Sequence, residues 1–251
     1  YIAAGLALAP FAWRWRGVLA GIGIWRLLAL AVTGGAGNAL LFGWGVVHAP
    51  ASHGGTIAPI TAAVMGALLG IVLLREWPTR GRIAAIGVIA CGVLLIGWDG
   101  IGGAHPGAWR GDLILVAAGT SWAAFTLLLR RWRVPALAGN AAVCGISALL
   151  VVPPWLLLGA AEVAAQPWRM TALQMVAQGL IASALATTLY ARAVELLGGT
   201  RTACLTTLVP VMSLALSVVV LGEALGAAKL AGVALAVAGM LAAVLFTGRR
   251  R

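Results

Sequence analysis

The sequence predicts an all-α polytopic membrane protein, built as an inverted repeat of two five-helix halves and carrying nine spans in this chain. Three observations predict it. Of 251 residues, 62% are hydrophobic and 9% charged, far from soluble-domain averages. Fourteen of the seventeen Lys and Arg residues fall in every second gap between apolar segments, as in a chain stitched through a bilayer whose cytoplasmic joins retain the positive charge. Finally, the region 59–94 matches 206–241 without a gap at an offset of 147 residues.

A helix needs about 20 apolar residues to cross the hydrocarbon core. The predicted spans are Tyr1–Trp13, Ile24–Val47, Ile57–Leu74, Ile83–Trp98, Asp112–Leu129, Ala136–Leu158, Thr171–Ala191, Thr202–Leu221 and Ala228–Thr247. The first is short for a span. Gly17–Trp25 is apolar but glycine-rich and reads as a join or a lead-in to the second span. Pro153 and Pro154 sit near the end of the sixth span, where neighbouring helices can satisfy freed carbonyls. Trp13, Trp15, Trp25, Trp77, Trp98, Trp109, Trp132, Trp155 and Trp168 cluster at predicted ends, as interfacial aromatics do. Trp44 and Trp122 lie deeper.

Arg14, Arg16 and Arg26 flank the first join; Arg75, Arg80 and Arg82 the third; Arg130, Arg131 and Arg133 the fifth; Arg192 and Arg201 the seventh; Arg249, Arg250 and Arg251 end the chain. The alternate joins hold only Arg110, Arg169 and Lys229. These assign the C-terminus to the cytoplasm; the sixteen-to-one excess of arginine over lysine and the abundant alanine read as a GC-rich bacterial genome, hence a bacterial inner membrane. The net charge of +11 is this inside-facing arginine, so anionic lipid headgroups, not nucleic acid, are its expected neighbours. Cys91, Cys144 and Cys204 all lie in apolar stretches and read as small buried hydrophobes.

In the repeat, Val64 meets Val211, Met65 meets Met212, Leu69 meets Leu216, Glu76 meets Glu223, Gly92 meets Gly239 and Leu94 meets Leu241. An offset of five spans, an odd number, inverts the second copy, as in many secondary transporters. The halves are drawn at 1–110 and 111–251, and the repeat places the partner of the Asp112–Leu129 span before Tyr1.

Several stretches then resemble a known family. "APASHGGTIAPITAAVMGALLGIVLLREWPTRGR", "GTSWAAFTLLLRRWR", "LYARAVELLGGTRTACLTTLVPVMSLALSVVVLGEAL" and "AAKLAGVALAVAGMLAAVLF" are similar to the drug/metabolite transporter superfamily, in its EamA-type ten-helix branch. The resemblance covers essentially the whole chain and lacks only the family's first helix. It implies export of amino acids, other small metabolites or drugs, with the YddG-type amino acid exporters among the relatives. One departure is that the family's mid-span proline is present as Pro210 in the second copy. The first copy has Ala63 there, with Pro59 one turn earlier.

The substrate cavity needs polar or aromatic groups at depth, where such groups usually have a partner or a role. The candidates are Asn38, Trp44, Pro59, Trp122, Gln178, Thr187, Tyr190, Thr207 and Pro210. The Trp122 indole can stack on a side chain while its N–H meets a carboxylate; a packed core tryptophan is the equal alternative. Tyr190 resembles an aromatic position of the family, and Trp44 is nearly its repeat mate; an interface anchor is the alternative for Tyr190. Gln178 and Asn38 carry amides that a zwitterion can satisfy, whereas buried Ser and Thr more often bond their own helix. Pro59 and Pro210 each free a carbonyl, or simply kink a helix.

His48 and His53 flank the outer join but make no metal site without a third ligand. Gly66 and Gly70 read as a close-packing step, Glu76 and Glu223 at span ends as capping a helix or paired with a neighbouring arginine, and Glu195 as paired with Arg192. None of the six acids (Glu76, Asp99, Asp112, Glu162, Glu195, Glu223) is at mid-span, so export facilitated down the substrate gradient, or coupled through a group on the helix expected before Tyr1, is anticipated. No HExxH or GxSxG occurs and no cofactor, metal or catalytic constellation is expected, so an enzyme is disfavoured. A channel-like bundle would not need an inverted repeat. The expectation is a monomer whose partners are a small-molecule substrate and the bilayer, working by alternating access.

Overall fold

Backbone amides inside a bilayer have no water to bond, so an apolar chain of this kind satisfies them within helices. The structure, a computed structural model, describes residues 1–75, 77, 79–102, 107–159, 161, 165–197, 205, 208–223 and 226–245. The described elements are helices α1 (Ile2–Arg14), α2 (Arg16–Ile22), α3 (Ile24–Gly34), α4 (Ala36–His48), α5 (Ala51–Leu74), α6 (Arg80–Gly102), α7 (Trp109–Arg131), α8 (Ala136–Leu158) and α9 (Trp168–Gln174), a π-helical segment (Met175–Ala186), then α10 (Thr187–Leu197), α11 (Leu208–Leu221) and α12 (Ala227–Leu245). Among the described residues, six helical stretches are long and apolar enough to span a membrane, and three shorter apolar helices accompany them. This is a polytopic helical membrane protein.

The chain forms two units. The first comprises Tyr1–Asn38 and Leu128–Leu196, the second Ala39–Leu127 and Leu197–Arg251. In the first, α8 packs on α1 and α3, and α1 packs on the π-helical segment. Its buried core is Ala4, Leu8, Ala141, Cys144 and Ala184. In the second, α6 packs along α12 and α5 along α11. Ile57, Ile60, Ile89, Ile96, Leu115, Leu214, Val233, Ala236 and Met240 form its buried core.

The α6–α12 pair is closest at glycine. A Cβ at Gly92 would lie 2.6 Å from the Gly232 carbonyl oxygen and 2.8 Å from the Ala236 nitrogen. At Gly239 it would meet the Ala85 carbonyl oxygen and Ile89 nitrogen, each at 3.0 Å. Rising numbers on α6 thus meet falling numbers on α12, and the helices run antiparallel. Shifting by 147 turns the Ala85–Gly239 contact into Gly232–Gly92, which is also a contact. These two repeat-related helices therefore pack about a local two-fold that inverts one onto the other. Small residues permit this approach, which apolar lipid does not itself drive. The step expected at Gly66 and Gly70 does not pack closely: a Cβ there meets nothing within 4 Å.

The predicted second span is interrupted. α3 ends at Gly34 and α4 begins at Ala36, with Gly35 between them. The freed Ala36 N–H is taken by the buried Ser147 hydroxyl of α8 at 3.0 Å. The repeat mate of Gly35 is residue 182, inside the π-helical segment. There the Ser183 hydroxyl donates to the Gln178 carbonyl at 2.7 Å and the Thr187 hydroxyl to the Ala182 carbonyl at 3.2 Å, both five residues back. Regular α-helix is lost at matching places in both copies. Helix ends correspond too: Gly222 (φ 68°) follows α11, and its mate Arg75 (φ 57°) follows α5.

The third predicted span starts six residues early, since α5 begins at Ala51 where Ile57 was expected. Most of the supposed outer join, His53 included, is therefore helical. The Gly17–Trp25 stretch holds the short helix α2.

Candidate functional site

The predicted cavity residues fall on both units. In the first, Asn38 is half-buried on α4, Gln178 is exposed on the π-helical segment, Thr187 is half-buried and Tyr190 is 42% exposed on α10. In the second, Trp44 is 65% exposed on α4, Pro59 is half-buried within α5 and Pro210 is fully buried on α11. Trp122 is half-buried on α7, its ring 5.2 Å from that of Phe125 and tilted by 50°. Trp122 thus has a tilted ring contact with Phe125 of its own helix. Thr207 lies outside the described residues, as do Glu76, Cys204 and the terminal arginines, and the Glu195 side chain.

A polar bridge in the first unit was not predicted. Asn140 on α8 is 5% exposed. Its amide donates to the Ser183 carbonyl at 3.2 Å and the Thr188 hydroxyl at 3.5 Å, and its oxygen accepts the Cys144 thiol at 3.7 Å. It thereby supplies a partner to the irregular segment. The signal was available: Asn140, Cys144 and Ser147 recur at i, i+4 and i+7, one helical face.

Among the described residues, the largest concentration of buried polar groups gathers at the start of α5 in the second unit. Ser52 and His53 are 0% exposed, Thr56 and Lys229 1%. Gly222 in the left-handed region ends α11, and the Glu223 N–H then bonds back to the Ser217 carbonyl at 3.2 Å. That turn delivers the Glu223 carboxylate to the α5 N-terminus, where the Ser52 N–H reaches its two oxygens at 3.3 and 3.4 Å. A carboxylate is favoured there, because helix N-termini present unbonded N–H groups and the positive dipole end. The Lys229 ammonium donates to the Ser52 hydroxyl at 3.1 Å and stands 3.8 Å from Glu223 Oε2. Burial pushes the Glu223 carboxyl upward, but the Ser52 hydrogen bonds and the Lys229 charge outweigh it and hold it below its ordinary value. Of the two readings for Glu223, capping or an arginine partner, the carboxylate does meet a helix N-terminus, and its cation is the chain's one lysine in place of an arginine.

One residue along, His53 Nδ1 lies 2.7 Å from Asp112 Oδ1 at the start of α7. His53 Nε2 and Asp112 Oδ2 are buried without a hydrogen-bond partner among the described residues. No group of three His, Cys, Asp or Glu occurs among those residues. An open groove of about 320 Å³ adjoins this region, lined by Ala51, Ser213, Leu216, Ser217, Val220 and Leu221. Its walls are apolar, with only two serine hydroxyls, and nothing in it recognises a polar solute.

Helices of membrane-spanning length and an antiparallel pair of repeat mates define the class as a multi-pass membrane protein with an inverted pair of related helices. The chain belongs to the EamA-like transporter family, which it matches over residues 1–98 and 109–245. That is a family of transporters of the drug/metabolite type, not of enzymes. Neither the curated proteins nor the solved structures compared with the chain include a match.

Proposed function

We propose that the protein exports amino acids or similar small metabolites from the cytoplasm by alternating access. The observation that carries the reading is the antiparallel α6–α12 pair of repeat mates within a chain of the EamA-like family. Related halves of opposite orientation give two states of comparable energy, open to opposite sides, as such transport requires. The division into halves at 1–110 and 111–251 belongs to this proposal, and the two matched segments, 1–98 and 109–245, support it. The protein acts as a monomer in the bacterial inner membrane; its C-terminus lies inside, the one part of this reading that the basic joins support. Trp122 and Tyr190 contribute aromatic faces to substrate, and Asn38, Gln178 and Thr187 contribute polar groups.

The test is an export panel of amino acids and toxic analogues in cells overproducing the protein. Faster efflux of at least one amino acid, reduced about tenfold or more by Trp122→Ala or Tyr190→Ala, is expected for loss of a stacking contact worth about 1.4 kcal/mol. Efflux confined to bulky toxic compounds would instead establish a drug exporter of the same fold.

A further inference from the structure

We propose that the basic face formed by the end of α1, the start of α3 and the end of α7 in the first unit binds the headgroup of an anionic phospholipid of the cytoplasmic leaflet. The inference rests on the membrane-spanning fold and the charge pattern, and is independent of what the protein carries.

Two arginines of this face are held over aromatic rings of their own unit. The Arg16 guanidinium lies 4.4 Å from the centre of the Trp13 ring. Arg26, in the first turn of α3, lies 5.7 Å from the centre of the Trp132 ring, just past the end of α7. The second pair is made by the fold, since its members are far apart in sequence. The next residue, Arg133, adopts the left-handed conformation (φ 52°). Its N–H and that of Val134 bond back to the Arg130 and Leu129 carbonyls at 3.2 and 3.0 Å. The carbonyls that end α7 are thereby satisfied within the chain, and the Arg133 side chain stands exposed. Between Arg16 and α3 lies only α2, seven residues and so about 10 Å long. It packs on α1, α3 and α8, which keeps both arginine–tryptophan pairs at one end of the unit.

A ring beneath a guanidinium occupies its face and leaves the in-plane N–H groups for bidentate contact with phosphate oxygens. No carboxylate is among the first unit's described side chains, so an external anion is the complement to this charge. The apolar surroundings decide which anion. Trp13, Val18 and Ile24 are exposed beside these arginines in the chain, and tryptophan favours the headgroup level of a bilayer. A phospholipid sets its phosphate on the guanidinium groups and its chains against those apolar side chains, whereas free phosphate gains only the first contact. A zwitterionic lipid brings a cation of its own, which the arginines repel.

The test is native mass spectrometry of the full chain in detergent with equimolar phosphatidylglycerol and phosphatidylcholine. The native protein is expected to retain phosphatidylglycerol at least about fivefold in preference, the effect of about 1 kcal/mol from one well-placed arginine. Arg26→Gln/Arg133→Gln should lower that preference about fivefold or more, and the same charge change in another basic join, Arg80→Gln/Arg82→Gln, should leave it within about twofold. No preference in the native protein, or equal losses in the two double variants, overturns the site and leaves only the general attraction of basic joins. Displacement of the lipid by excess inorganic phosphate at constant ionic strength overturns it in favour of a soluble anion. Should the variants fail to fold, a phosphatidylglycerol with a photoreactive headgroup decides on the native protein in lipid nanodiscs. Its cross-links must concentrate in residues 13–27 and 130–134, and cross-links spread evenly over the basic joins overturn the proposal.

Discussion

Lys229, the only lysine in the chain, holds its ammonium 3.8 Å from Glu223 Oε2 with 1% of its surface exposed. Every other cation is arginine. A compact ammonium fits between Ser52 and Glu223, whereas a planar guanidinium needs more room and more acceptors. Lys229→Met removes the hydrogen bond to Ser52 and the ion pair with Glu223, and leaves Glu223 beside α5 without that counter-charge. The expected loss is about 1.5–3 kcal/mol, read as a lower melting temperature in lipid nanodiscs. Lys229→Arg is expected to destabilise as well. The double variant Lys229→Met/Glu223→Gln is expected to recover part of the loss, because the orphaned charge is gone.

Glu223 also sets an acid limit. Its carboxyl is pushed up by burial but held below its ordinary value of 4.5 by the Ser52 bonds and Lys229. A group with a lowered folded-state value contributes stability above the unfolded value, and that contribution disappears as pH falls through the folded one. Melting temperature followed from about pH 7 down to about pH 3 should therefore fall more steeply in the native protein than in Glu223→Gln. Identical acid slopes would contradict the assignment.

Span positions were legible because apolar length and basic joins are strong, redundant signals; α8 has the bounds read from sequence, Ala136–Leu158. Two features were not legible, for a physical reason. Polar residues near a span end look solvated in a linear reading, so Ser52 and His53 passed for a join until α5 proved to start at Ala51. Asp112 was read only as an acid at the start of a span, and only the fold brings it to His53, 59 positions away in sequence. Glycine spacing misled similarly. Gly66 and Gly70 share a face that meets no neighbour within 4 Å, while Gly92, Gly232 and Gly239 touch opposing backbone; spacing alone does not say which face has a partner.

The α6–α12 contact makes that last distinction testable. Gly92→Val puts side-chain atoms where the Gly232 oxygen and Ala236 nitrogen already lie, at 2.6 and 2.8 Å from the Cβ position. Backbone cannot move aside as a flexible side chain can, so overpacking of about 1–3 kcal/mol is expected. Its repeat mate should behave alike, since Gly239→Val meets Ala85 and Ile89. Gly70→Ala enters open space and removes a helix-interior glycine, for an expected gain of about 0.5–1 kcal/mol. Thermal unfolding of the three variants checks the ranking, and a Gly92→Val protein as stable as the parent would refute the close approach.

The break between α3 and α4 depends on a single hydroxyl. The Ser147 Oγ accepts the Ala36 N–H at 3.0 Å from a fully buried position. The α3 helix has just ended at Gly34, so this N–H lies at a break in the helical ladder. Ser147→Ala should strand a buried donor at a cost of about 0.5–2 kcal/mol, the range for losing a capping oxygen. The effect should be local. Hydrogen exchange of the amides following Gly35 is expected to quicken by about tenfold or more, matching a loss near 1.4 kcal/mol in local opening. The α6 and α12 amides, in the other unit, should keep their protection. Ser147→Thr retains the hydroxyl but adds a methyl where Gly35 already crowds the oxygen, so it should preserve the cap only if that crowding relaxes. Uniform acceleration across both units would show that Ser147 supports global packing, and unchanged exchange after Gly35 would show that the break is held by something other than this bond.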